Sequence, residues 1–120
     1  MTIEADIYTT LTNDAGVSGQ VGTRVYPLDL PQNATLPAIT YSEVSNTPLY
    51  SLGGENATQN SRFQFDCFAA DIDSANALGA LLKTAMSNAT LFKSVRLSRL
   101  PLFDDESEQY RLLQDFSIWY

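Results

Sequence analysis

The sequence contains no histidine. Without an imidazole there can be no Ser-His or Cys-His nucleophile pair and no His-ligated zinc or haem site. Cys67 is the single cysteine, so no internal disulfide can form, which agrees with a reducing compartment. Such a thiol is expected to be a small buried hydrophobe. Basic residues are scarce, seven Lys and Arg against fourteen Asp and Glu, for a net charge of −7. Binding to phosphates draws its affinity from clustered cations, so a basic nucleic-acid surface is excluded. No apolar run approaches the roughly 18 residues that would span a bilayer. The opening MTIEADIYTT lacks the basic start and apolar centre of a secretion signal. The chain is expected to be soluble, to make no membrane contact, and to be made and kept in the cytoplasm.

Phosphate and metal motifs are missing as well. Neither G-x-x-x-x-G-K-[ST] nor G-x-G-x-x-G occurs, and Gly53-Gly54 is not followed by a helix start that could offer backbone N–H groups to a phosphate. Asp71-Ile72-Asp73 lacks the other ligands and the central glycine of a calcium loop. No catalytic residue, metal or cofactor is expected, and the chain reads as a protein that is not an enzyme.

What is present is an ordinary globular composition, 120 residues with 44% hydrophobic and 18% charged. That is one domain, large enough to bury about two-thirds of its unfolded surface. Ile3, Ile7, Tyr8 and Leu11 fall at helical spacing behind Thr2, a good N-cap, and predict a helix from about Ile3 to Asn13. Arg24-Val25-Tyr26 reads as a short strand stopped by Pro27, and residues 38 to 45 as a second. The polar stretch 46–60, with its Gly-Gly pair, reads as a long loop between strands.

The period changes within "SRFQFDCFAADIDSANALGALLKTAM", residues 61 to 86. Phe63, Phe65 and Cys67 alternate with Arg62, Gln64 and Asp66, which predicts a strand with one face to the core. Asp71 then caps a helix whose Ala75, Leu78, Leu82, Ala85 and Met86 form a stripe at 3.6-residue spacing. Gly79 costs that helix about 1 kcal/mol relative to alanine, and close packing on the sheet is the expected reason. Two more strands follow, Phe92 to Leu100 and Gln109 to Tyr120. The order α-β-β-β-α-β-β predicts an α+β domain, a mainly antiparallel sheet with two helices on one face.

Some residues fit a partner better than a core. Leu113 and Trp119 lie on the opposite side of the last strand from Leu112, Phe116 and Ile118, which reads either as ordinary exposure or as a subunit interface. Leu49, Tyr50 and Leu52 sit in the polar 46–60 segment and either fold back on the sheet or anchor a neighbour. The acidic run Asp104, Asp105, Glu106 and Glu108 offers adjacent carboxylates that point apart, hence a solvated turn and no acid–base pair.

The stretch "VGTRVYPLDLPQNATLPAITYSEVS", then the long 46–60 segment, "RFQFDCFAADIDSANALGALLKTAM" and a closing pair of strands resembles the tail-completion, or tail terminator, family of long-tailed bacteriophages over nearly the whole chain. Arg24-Val25-Tyr26-Pro27, Pro31, Leu36-Pro37 and the strand-to-helix junction stand in the family's order. The resemblance implies a non-catalytic virion subunit at the head-proximal end of the tail. It implies a homo-oligomer, a hexameric ring that caps the tail tube protein and joins it to the head or neck connector. DNA would pass through without specific binding, and Asp104, Asp105, Glu106 and Glu108 would then be candidates for the lumen or its rim. Alternatives are another neck or tail ring protein, an acidic host-directed binding protein, or a ligand-binding α+β domain.

Overall fold

The computed structural model describes residues 2–31, 33–51, 54–105 and 108–120, with backbone alone at 47–51, 54–58 and 104. The first helix, α1 (Ile3–Asn13), starts where the Thr2 hydroxyl accepts from the Ala5 N–H at 3.2 Å. The next is a helix that the pattern did not announce, α2 (Ala15–Val21), whose N-cap Asp14 accepts from the Val17 N–H at 3.0 Å. Two glycines in seven residues hide it, and its burial rests on Val17 and Val21 alone. It stops at Gly22, with φ of 59°, a conformation that glycine adopts without penalty.

Strand β1 (Val25–Pro27) pairs in parallel with β2 (Ala38–Ser51), Val25 opposite Ile39. The sheet is therefore mixed. Strand β2 runs antiparallel to β3 (Gly54–Ala69), Ile39 opposite Cys67 and Pro48 opposite Gln59. The expected loop over 46–60 is thus replaced, up to Ser51 and from Gly54, by the continuation of both strands. Asp71 caps α3 (Ile72–Ser87), its carboxylate accepting from the Ser74 N–H at 2.7 Å. The charge of this exposed cap is favoured by that bond, which lowers its pKa below the usual carboxylate value. Strands β4 (Lys93–Asp104) and β5 (Gln109–Trp119) close the chain.

Among the described residues the domain is α+β, with three helices and a five-stranded sheet in the order β1-β2-β3-β5-β4. The helices share one face. Ile7, Leu11, Val17, Val21, Leu78, Leu82 and Met86 meet Ile39, Phe63, Phe65, Cys67, Leu112, Phe116 and Ile118 in a single core. Phe65 and Phe116 pack edge to face, centroids 5.3 Å apart at 81°. Cys67 is fully buried, and desolvation pushes its thiol far above its ordinary pKa.

Gly79 packs as anticipated. A Cβ there would collide with Leu112 Cδ2 and stand 2.9 Å from Gln114 Nε2. Gln114 is itself a buried polar residue on the core face, and it donates to the Gly79 carbonyl at 3.1 Å and accepts from Arg96 at 3.2 Å. The missing side chain lets an amide into an apolar layer with both ends satisfied.

Candidate assembly surfaces

The face away from the helices has two halves. Over β3 and the adjoining part of β5 it is polar: Arg62 pairs with Asp115, which also accepts from Ser98 at 3.2 Å, and Arg111 pairs with Asp66 at 2.7 Å. The Arg111 guanidinium lies 5.3 Å from the Phe68 ring centroid. Asp66 Oδ1 and Arg111 Nε are buried without a hydrogen-bond partner among the described residues. Burial pushes the Asp66 carboxyl above the ordinary carboxylate value, and Arg111 pulls it back.

Over β4 and β5 the same face is apolar. Leu113 and Trp119 are half-buried, as the alternation of β5 foretold. Leu113 lies opposite Leu100, which is 51% exposed, and Val95, opposite Ser117, is 53% exposed. Leu102, opposite Arg111, lies on this face too. Val95, Leu100 and Leu102 were not among the residues singled out from the sequence. A register shift between Arg96 and Ser98 puts odd and even positions of β4 on one face, so strict alternation cannot show the stripe.

Two projections lie at opposite ends of the sheet. At one end, β3 leaves β5 at Gln59 and Tyr120, whose backbone N–H and C=O groups bond mutually at 2.6 and 2.9 Å. Beyond, only the β2–β3 ladder continues as an arm, through Tyr50 opposite Glu55 to Ser51 opposite Gly54. Its root carries a polar clasp: Asn46 Nδ2 donates to Ser61 Oγ at 2.8 Å and to Tyr120 Oη at 3.0 Å, and Ser61 donates to Glu43 at 2.7 Å. Leu49 and Tyr50 stand on the backbone of the arm, and Leu52 lies outside the described residues. At the other end is the β4–β5 turn, with Asp105 and Glu108 exposed and Glu108 at φ of 55°. Asp104 ends β4, and Glu106 lies outside the described residues. The arm and the acids therefore cannot contribute to one patch on one chain.

Against known families, residues 5–120 match the profile described as Tail completion protein gp17. The chain belongs to this family. Membership makes the tail completion chain a structural component of a phage tail, a class that is typically not enzymatic. No metal-binding cluster of acidic or sulfur ligands occurs among its described residues. A solved chain from the "Virion of native gene transfer agent (GTA) particle" shares its fold, with a TM-score of 0.67 and 20% identity over 98% of this chain and 92% of that one. No curated protein matches it significantly by sequence.

Proposed function

We propose that the protein forms a ring, a hexamer, that terminates the tail tube and joins it to the head or neck. The observation that carries this reading is the uncovered apolar half-face of β4 and β5, with Leu100, Leu113 and Trp119, on a chain that belongs to a tail completion family. A stiff sheet backed by helices holds that surface rigid, as a ring subunit requires. Leu49 and Tyr50 on the arm, together with Leu52, anchor the subunit to the tube or to a neighbour. Asp104, Asp105 and Glu108, at the opposite end, together with Glu106, are the candidates for the lumen or its rim, where like charges on several subunits sum to a field that repels duplex DNA over about 8 Å. Assembly takes place in the host cytoplasm, and the finished ring stays at the head-proximal end of the virion tail. Support comes also from the gene transfer agent virion, in which a chain of the same fold is a component.

Negative-stain microscopy of the purified protein, alone and mixed with tail tubes, tests this. Rings that cap one end of the tube are expected. Single subunits in both samples would overturn the reading, and rings seated elsewhere in the neck would move the protein to another ring position.

A further inference from the structure

The two edges of the sheet carry opposite charge, and among the described residues neither finds its counterpart within the chain. Edge strand β4 holds Lys93, Arg96 and Arg99, three of the seven basic residues in an acidic protein. Among the described residues none of them makes a salt bridge: Arg96 donates to Gln114 and Arg99 to Asn76. At the far edge, β1 ends at Pro27 and the last link is Leu28 N–H to the Tyr41 carbonyl, 2.8 Å. Among the described residues β2 has no strand on that side from Ser42 onward. A cleft of about 250 Å3 opens at this point, lined by Glu4, Pro27, Leu28, Tyr41, Glu43 and Phe63. Two carboxylates over apolar walls suit a Lys or Arg that buries its aliphatic stem and keeps its charge at the rim. The stretch 42–61 contains Glu43 and Glu55 and no basic residue. Three inter-strand spacings, about 14 Å, separate β4 from β2, so the two edges cannot meet within one chain.

We infer that the cationic edge β4 of one copy docks on the acidic edge of β2 of the next, with a basic side chain of β4 in the Glu4–Glu43 cleft. This rests on the ring reading and names the contact that builds the ring. Two different surfaces meet, so the association is head to tail, and the same step repeated closes a ring when its rotation closes. Pro48 and Pro101, with the register shifts in β2 and β4, prevent a long backbone ladder. Recognition therefore falls on charge and on exposed apolar groups beside it, Leu28 at 77% and Leu97 at 53% exposure.

Charge exchange tests the contact. Lys93→Glu with Arg99→Glu is expected to reduce the scattering mass from that of the ring to that of one chain, 13.2 kDa, and Glu4→Lys with Glu43→Lys to do the same. Combining all four substitutions should restore the ring, which a misfolded variant could not do. Zero-length carbodiimide coupling of the unmodified protein should join Lys93 to Glu4 or Glu43 between copies. Ring-sized mass in both double variants, or rings whose Lys93 couples elsewhere, overturns the edge assignment and leaves the ring reading intact. A wild-type chain that stays monomeric with and without tubes overturns both.

Discussion

The two faces of this sheet are built from alternate residues of the same strands, yet they obey different rules. On the covered face nearly every position is apolar and fully buried, from Phe63, Phe65 and Cys67 to Leu112, Phe116 and Ile118. Gln114, a buried polar residue there, is held by Gly79 and Arg96. The bare face carries crossed ion pairs on one half and exposed leucines with Val95 on the other. Apolar groups inside stabilise the fold whatever the surroundings, whereas apolar groups outside gain their transfer free energy only when a partner arrives. The covered face therefore supplies most of the stability of the single chain, and in the ring reading proposed above the apolar half of the bare face gains its share only on assembly.

The sharpest way to break this contrast is Phe65→Ala, which removes a buried ring from the aromatic cluster. A loss of about 3–5 kcal/mol is expected in denaturant titration, a large part of the stability of a small domain. Gly79→Val should cost about 1–3 kcal/mol through overpacking against Leu112, with a further small loss of helix propensity. If thermal melting showed no loss, the close approach of α3 to β5 would be wrong.

On the bare face, Arg111→Ala is expected to cost about 1–3 kcal/mol at neutral pH, because it leaves the Asp66 carboxylate buried without its cation. The sign follows from the raised pKa of Asp66. Its charged form is disfavoured in the folded state, so the loss is full above the folded pKa and shrinks as acid protonates the carboxyl toward its ordinary value. Melting at neutral and acid pH should show the gap between variant and wild type closing in acid; a gap independent of pH would remove the pair from the account.

Leu113→Asp or Trp119→Ala should change single-chain stability least while removing rings from the light-scattering profile. Unaltered ring mass would make the apolar half of the bare face ordinary surface. Asp104→Lys, Asp105→Lys and Glu106→Lys together should leave both faces and the ring intact and create an affinity for duplex DNA that falls steeply with salt. Dissociated subunits, or rings without DNA affinity, would sink the lumen assignment.

Much of the fold was legible in the residues themselves. Thr2 and Asp71 mark helix starts because a hydroxyl or carboxylate satisfies an N–H that the helix leaves open, and the change from period 2 to 3.6 across Ala69 and Asp71 is a local property of the chain. The half-buried Leu113 and Trp119 were legible for the same reason, since β5 alternates without a break. Other features depend on partners distant in sequence. Two valines of α2 become a helix face only when they reach the core, and β1 finds a parallel neighbour because the 28–37 connection returns the chain beside it. The polar arm is held by backbone pairing, which leaves no hydrophobic period to read. Gln114 is buried because Gly79, 35 positions away, leaves room and a carbonyl for it. The opposition of a basic β4 edge to an acidic β2 edge likewise comes from the order of strands in the sheet, for charge along a sequence has no edge until the strands are laid side by side.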